Sequence, residues 1–138
     1  MEKEFDYKQL LKKALEKSPQ KTAFKERFVL PELACEQHGN KTLLKNFGDL
    51  FVALRREPKH FARYLSKEFA TRGSTQNSTL ILDTKISKEN LRKKIESYMQ
   101  EFVNCKVCNE PDTKLVKEDR YLFMVCEACG TKSTVRII

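Results

Sequence analysis

The stretch Cys105-Lys-Val-Cys108 is a Cys-x-x-Cys pair, and a second pair, Cys126-Glu-Ala-Cys129, follows after seventeen residues. Each pair places two thiolates on one side of a tight turn, and four thiolates form the tetrahedral sphere that suits Zn²⁺. Asn109 and Gly130 follow the pairs and are the residue types that most readily adopt the left-handed conformation such turns need. A redox dithiol or an iron–sulfur cluster is the alternative, and the regular paired spacing favours zinc. The predicted metal ligands are Cys105, Cys108, Cys126 and Cys129.

The residues around these pairs predict a small sheet. Residues 113–117 and 121–125 alternate like a hairpin that turns at Glu118-Asp119, and residues 133–138 supply a third strand. The pattern predicts a C-terminal zinc ribbon, a three-stranded antiparallel sheet, over residues 104–138. So short a segment cannot fold by hydrophobic burial alone, so the metal is expected to be structural.

The central segment, residues 21–103, has a mixed pattern. Strands are predicted near residues 28–30, 33–35, 42–44 and 79–82, with turn chemistry at 38–41. Apolar spacing predicts three helices, one over 47–54, one that starts at Pro58 and ends before Gly73, and one capped by Ser87. The predicted fold class is α+β, with an N-terminal helix and linker (1–20), a small central α/β domain (21–103) and the ribbon (104–138).

The first segment predicts a short amphipathic helix. Asp6 is a good N-cap, Phe5 and Leu10 are spaced as a hydrophobic staple, and Pro19 ends the helix. Its apolar stripe contains Tyr7, Leu10, Leu11, Ala14 and Leu15. A helix of about three turns is marginal in water unless such a stripe packs on something. The stripe either folds back on the central domain or docks in a groove of another protein, and the linker at 18–22 favours docking.

The net charge of +8 indicates a polyanionic partner, of which RNA is the commonest. The excess lies in residues 21–104, which carry 16 Lys/Arg against 10 Asp/Glu. A solvated basic face without a ligand is the alternative. Two clusters stand out, one on the central helix pair, including Lys67, and one on the long helix, including Lys88. The predicted RNA-contacting residues are Arg55, Arg56, Lys59, Arg63, Arg92, Lys93 and Lys94. Because these are phosphate-seeking residues, a DNA-reading helix-turn-helix is disfavoured.

No enzyme is expected. The sequence contains no phosphate-binding GxxxxGK[ST] motif and no nucleophile–base pair. His38 fits turn composition, His60 fits a surface or RNA-facing position, and Cys35 fits a small buried hydrophobe. The longest apolar runs are far shorter than the roughly 20 residues of a transmembrane helix, and the N-terminus does not read as a signal peptide. A cytoplasmic protein is expected.

The sequence resembles the beta subunit of archaeal and eukaryotic translation initiation factor 2. The run from Cys105 to Gly130, with Asn109-Glu-Pro-Asp-Thr113 after the first pair, is similar to that family's ribbon almost position for position. Gly39-Asn-Lys-Thr42, Asn46-Phe47 and Arg56-Glu-Pro-Lys-His60 resemble its middle domain, and Asp6-Tyr7 with Leu10-Leu11 resembles its N-terminal helix. The lysine blocks of the eukaryotic members are missing, which favours the archaeal form.

The resemblance implies three flexibly joined modules and a heterotrimer with an alpha subunit and a GTP-binding gamma subunit. It implies that Tyr7, Leu10, Leu11 and Leu15 anchor this chain to the gamma subunit. The family's complex carries methionylated initiator tRNA to the small ribosomal subunit and hydrolyses GTP on the gamma subunit, so this chain is expected to supply no catalytic residue.

Two other readings share the ribbon. The N-terminal part of initiation factor 5 has a similar middle domain and ribbon, but it assists GTP hydrolysis through an arginine in its N-terminal tail. In this sequence the first arginine is Arg27. A zinc-ribbon transcription factor accounts for the cysteines and the charge but not for the middle-domain motifs.

Overall fold

The computed structural model describes residues 6–18 and 29–138 of the 138-residue chain. The first described helix, α1, is Tyr7–Lys17. The central part contains four strands and three helices: β1 (Cys35–His38), β2 (Lys41–Leu44), α2 (Phe47–Leu54), α3 (Pro58–Glu68), β3 (Gly73–Gln76), β4 (Thr79–Leu82) and α4 (Lys88–Tyr98). A π-helical turn, Met99–Val103, leads to the strands β5 (Thr113–Glu118), β6 (Tyr121–Cys126) and β7 (Lys132–Val135).

The N-cap prediction for α1 is confirmed. The Asp6 carboxylate accepts a hydrogen bond of 3.2 Å from the backbone N–H of Lys8, which satisfies one of the open donors at the helix start. The staple residue Phe5, the terminating Pro19 and the linker residues after Ser18 lie outside the described residues. No residue of α1 is buried by the rest of the described chain.

The central sheet is antiparallel with strand order β1-β2-β4-β3. The predicted hairpin at residues 38–41 is confirmed, and Gly39 adopts φ +60° in its turn. The strand predicted at 28–30 is wrong for Val29 and Leu30, and β1 starts only at Cys35. Phe28 lies outside the described residues. The Asn46 side chain holds the segment before β1 instead, because its Oδ1 accepts 3.0 Å from the Ala34 N–H.

Strand β3 was missed by the pattern, which assigned Gly73 and Ser74 only to the end of a helix. All four residues of β3 are exposed and polar, because it is an edge strand. It joins β4 through a two-residue turn in which Asn77 and Ser78 both have positive φ, the conformation of a type I′ hairpin. Gly48 lies close against this turn, and its N–H donates 3.1 Å to the Ser78 carbonyl.

The three central helices enclose an aromatic core. Pro58 occupies the first turn of α3, as predicted, and Ser87 caps α4 by accepting from the Asn90 N–H at 3.3 Å. The largest fully buried side chains come from all three helices, the π-helical turn and two strands: Tyr98, Phe47, Phe61, Phe102, Leu44, Leu50, Leu54, Leu65, Leu80, Leu82, Leu91 and Ile95. Thr42 is also buried, and its hydroxyl has a hydrogen-bond partner because it donates to the Thr84 carbonyl at 2.7 Å.

The C-terminal part is the predicted three-stranded antiparallel sheet, in the order β5-β6-β7. It packs on the central part, because Met124 and Val135 belong to the same buried cluster as Phe102 and Val103. The boundaries at residues 20 and 103 remain predictions about folding units. None of the helices among the described residues combines the length and the apolar character that a membrane span requires.

Candidate metal centre and basic surface

The first cysteine pair lies in a turn closed by two backbone hydrogen bonds. The Cys105 N–H donates 3.0 Å to the Glu110 carbonyl, and the Asn109 N–H donates 2.9 Å to the Cys105 carbonyl. Asn109 has φ +58°, as its type predicted. This turn brings both thiols of the pair to one side.

The second pair repeats the same pattern. The Cys126 N–H donates 2.9 Å to the Thr131 carbonyl, and the Gly130 N–H donates 3.0 Å to the Cys126 carbonyl. Gly130 has φ +73°, at the position equivalent to Asn109. Two turns of identical hydrogen bonding therefore face each other across the end of the ribbon.

The four sulfur atoms form one cluster. All lie within 4.8 Å of one another, with Cys105 3.6 Å from Cys129 and Cys108 3.5 Å from Cys126. Four sulfurs around a metal at bond lengths of about 2.3 Å would lie about 3.8 Å apart in a tetrahedron. The residues therefore fit a four-coordinate metal ion. Four protein ligands leave no open coordination position, so the ion would stabilise the fold rather than activate a water molecule.

The surroundings also fit thiolates. The Val107 N–H points at the Cys105 sulfur from 3.4 Å, and the Cys129 N–H points at the Cys126 sulfur from 3.5 Å. The Thr131 hydroxyl lies 3.0 Å from the Cys129 sulfur, where it can donate once that sulfur is a thiolate. Donors of this kind orient the ligands and offset their negative charge. No sequence pattern predicts this role for Thr131.

Arg56 requires a correction to the predicted RNA-contacting set. It is 6% exposed, and its guanidinium is fully used inside the protein. Its Nη2 donates 2.6 Å to the Phe102 carbonyl and 2.6 Å to the Thr113 hydroxyl, and its Nη1 donates 2.7 Å to the Thr113 carbonyl. Burial lowers the pKa of Arg56 from its ordinary value. A phosphate would have to displace these bonds, so Arg56 instead links the segment between α2 and α3 to the π-helical turn and to the ribbon.

The remaining cations around α3 differ from Arg56 in their exposure. Lys59, Arg63 and Lys67 recur at every fourth residue along one exposed face of the helix. In the described part of the chain, no carboxylate forms an ion pair with any of the three. Arg55 is exposed too, but its Nη1 lies 3.6 Å from Glu127.

Most of the predicted cations of α4 are already neutralised. Arg92 pairs with Glu96 at 3.2 Å, and Lys94 pairs with Glu68 at 2.8 Å. Lys93 is exposed, and the described residues offer it no ion pair. The α3 surface is therefore the more available of the two predicted clusters.

The two histidines and the fifth cysteine have different environments. His60 is not an outward-facing surface residue: its Nδ1 lies 2.9 Å from the Tyr98 hydroxyl, and its Nε2 is buried without a hydrogen-bond partner in the described structure. Burial, followed by the nearby charge of Arg56, lowers the pKa of His60. His38 is exposed beside Glu36 at 3.5 Å. Cys35 is partly buried against the core, and burial raises the pKa of its thiol.

The apolar stripe of α1 is exposed to solvent. Tyr7 is 74% exposed and Leu15 67%, and Leu10 and Leu11 are also exposed. The described residues therefore do not provide a cover for the stripe.

Comparison with known proteins identifies the family. A family model for a domain found in initiation factors 2B and 5 matches residues 18–132. Translation initiation factor 2 subunit beta of Methanocaldococcus jannaschii is 40% identical over 97% of this chain and 94% of its own length. The proteins of the same name from Methanopyrus kandleri and Archaeoglobus fulgidus are each 38% identical over 96% of this chain, and over 96% and 97% of their own lengths.

The chain belongs to the family of the archaeal translation initiation factor 2 beta subunit.

Membership in the beta-subunit family confirms the resemblance drawn from the cysteine pairs and the middle-domain motifs. The matched family model covers two initiation factors by its description, and the full-length relatives carry the beta-subunit name. The chain is thus a translation initiation factor subunit, and the initiation-factor-5-like and transcription-factor readings are superseded.

Proposed function

We propose that this chain is the non-catalytic subunit of a heterotrimeric initiation factor that delivers methionylated initiator tRNA to the small ribosomal subunit in a GTP-dependent manner. The complex would contain a GTP-hydrolysing gamma subunit and an alpha subunit and would act in the cytoplasm. The observation that carries the proposal is the apolar stripe of α1, which none of the described residues covers, in a chain of this family.

Tyr7, Leu10, Leu11 and Leu15 bind the gamma subunit in this proposal. They occupy one face of a capped helix of eleven residues, and all four are exposed large hydrophobic side chains. An isolated helix of this length is marginal in water, so a partner groove that covers the stripe would stabilise both the helix and the complex.

The metal in the proposal is one structural Zn²⁺ held by Cys105, Cys108, Cys126 and Cys129. The donor set supports it, since four thiolates with tetrahedral spacing and no vacant position are typical of structural zinc sites. When bound, the ion holds the two turns together, and the chain's own N–H groups and Thr131 orient the sulfurs.

RNA contact is assigned to the exposed cations Arg55, Lys59, Arg63, Arg92 and Lys93, and to Lys94, which is partly exposed. Arg56 does not belong to this set, because its guanidinium is buried and hydrogen-bonded within the protein. Contacts of this kind carry little sequence specificity, and they weaken steeply with salt because counterions are released.

The experiment is a pull-down of purified gamma subunit by the intact chain and by a Tyr7→Ala/Leu11→Ala variant. Alanine favours helix, so the variant removes the apolar contacts without melting α1. Loss of about 3 kcal/mol or more, over a hundredfold in affinity, is expected. A Gln9→Ala/Glu16→Ala variant on the opposite face is the control and should bind normally. Failure of the intact chain to bind the gamma subunit would refute the proposal.

A further inference from the structure

A cleft of about 440 Å³ lies between α3 and the ribbon. One wall comes from the start of α3 and includes Lys59 and Arg63, and the other comes from β5 and includes Lys114 and Lys117. Its volume is within the range of ordinary ligand sites. Lys114 and Lys117 were not among the predicted RNA-contacting residues, because the ribbon as a whole has an excess of only one positive charge.

The charge of this cleft is not compensated by the described residues. Among the side chains that line it, six are cationic and one, that of Glu57, is acidic. Arg56 is bonded internally, and Arg55 lies 3.6 Å from Glu127. The other four, Lys59, Arg63, Lys114 and Lys117, form no ion pair with any described residue. In contrast, most of the cations of α4 form ion pairs. Of the basic surfaces on α3 and α4, the one at the cleft therefore carries more of the unpaired positive charge.

The cationic row continues beyond the cleft. A second groove of about 630 Å³ adjoins it, shares Lys59 and Arg63 with it, and extends to Lys67. Lys59, Arg63 and Lys67 follow each other at four-residue intervals, which places them about 6 Å apart along the helix axis. A linear row of cations at one-turn spacing suits a ligand with regularly repeated negative charges.

We propose that the cleft between α3 and β5 binds the phosphate backbone of RNA, with Lys59 and Arg63 on one side of the strand and Lys114 and Lys117 on the other. This inference deepens the proposed function and rests on it, since it names where the RNA of an initiation complex is bound. The half-buried side chains of Leu115 and Leu122 form an apolar part of the lining, which can pack against ribose. Because both walls contribute, the site depends on the packing of the ribbon against α3.

The test uses the full-length, zinc-loaded chain and fluorescence anisotropy with a labelled oligouridylate of about 20 nucleotides across a salt series. Three variants each remove two positive charges: Lys59→Gln/Arg63→Gln in one wall, Lys114→Gln/Lys117→Gln in the other, and Arg72→Gln/Lys85→Gln as the control. Arg72 and Lys85 form no ion pair in the described part of the chain and do not line either groove. Zinc content and unfolding midpoint are measured for each variant to show that it remains folded.

Each wall variant is expected to bind about tenfold more weakly at physiological salt and to reduce the slope of log K against log salt by about 1.4, while the control variant is unchanged. A ribbon-wall variant that behaves like the control would overturn the proposal, because the strand would then run elsewhere. The proposal would also be overturned if a polyglutamate peptide competed for the site as strongly as an RNA of equal charge does. The gamma-subunit pull-down measures binding through α1 and not through the cleft. It can therefore succeed even when the cleft proposal fails.

Discussion

Arg56 donates hydrogen bonds to both the carbonyl and the hydroxyl oxygen of Thr113, at 2.7 and 2.6 Å, although the two residues are 57 positions apart. The same guanidinium binds the Phe102 carbonyl, and the Thr113 hydroxyl in turn donates to the Val103 carbonyl. The π-helical turn leaves these two carbonyls without helical partners. Arg56 and Thr113 therefore cap the end of the helical segment that follows α4 and join the ribbon to the central part in one network.

Replacing Arg56 by Met is expected to destabilise the protein by about 3 kcal/mol, because the buried oxygens of Phe102 and Thr113 lose their donors. Urea unfolding followed by circular dichroism measures the change. The exposed neighbour Arg55 is the control, and Arg55→Met should alter stability by less than about 0.5 kcal/mol. Equal urea unfolding midpoints for the two variants would contradict the role of Arg56 as an internal hydrogen-bond donor that links the ribbon to the central part.

Thr113→Val keeps the shape of the side chain and removes its hydroxyl. Combined with Arg56→Met in a double-mutant cycle, it should show a coupling energy of about 1–2 kcal/mol, because the two side chains share one buried network. Additive effects of the two substitutions would mean that the hydrogen bonds contribute independently.

Cys105→Ser should abolish stoichiometric zinc binding and unfold the ribbon, while the central part stays folded. The central part should also lose stability, because Met124 and Val135 leave the buried cluster to which Phe102 belongs. Zinc content, limited proteolysis and the unfolding midpoint check the three statements. Cys35→Ser leaves the cluster intact and should retain one zinc per chain. Retention of zinc and a protease-resistant C-terminus by Cys105→Ser would contradict the structural role.

The environment of His60 predicts an acid dependence of stability. Burial lowers the pKa of its imidazole in the folded state, so the unfolded chain binds the proton more readily. The stabilising contribution is complete above the unfolded pKa of about 6.5 and is lost as the pH falls below it toward the folded pKa. His60→Gln should therefore flatten the decline of unfolding free energy between about pH 7 and pH 5. Parallel pH profiles for the wild type and His60→Gln would rule this out.

Local patterns predicted much of the fold. The turns at the cysteine pairs, the helices that start at Phe47, Pro58 and Lys88, and the hairpin around Gly39 all follow from residue spacing and turn chemistry. Strand β3 was missed because Gly73–Gln76 has no apolar alternation and is a strand only through its pairing with β4. The strand expected at Val29 and Leu30 was wrong, because the apolar character of Leu30 reflects contact with the core rather than sheet pairing.

Two neighbouring arginines have opposite environments that their sequence does not distinguish. Arg55 and Arg56 are adjacent and chemically identical, yet one is exposed and the other is buried. Arg55 ends α2 with a left-handed backbone, φ +53°, and this reversal turns the next side chain toward the π-helical turn and Thr113. Clustered charges in the sequence therefore indicate a basic region, but they do not distinguish an arginine that can contact phosphate from one that is hydrogen-bonded inside the protein.

The sequence by itself determined the four clustered cysteines, the amphipathic first helix, the basic central segment and the family, because each depends on residue type at short spacing. Only the tertiary structure decided which cations are free, which are paired or buried, and that Lys114 and Lys117 of the ribbon face Lys59 and Arg63 of α3. The physical reason is that ion pairing, burial and clefts arise from contacts between residues far apart in the chain, which no local pattern encodes.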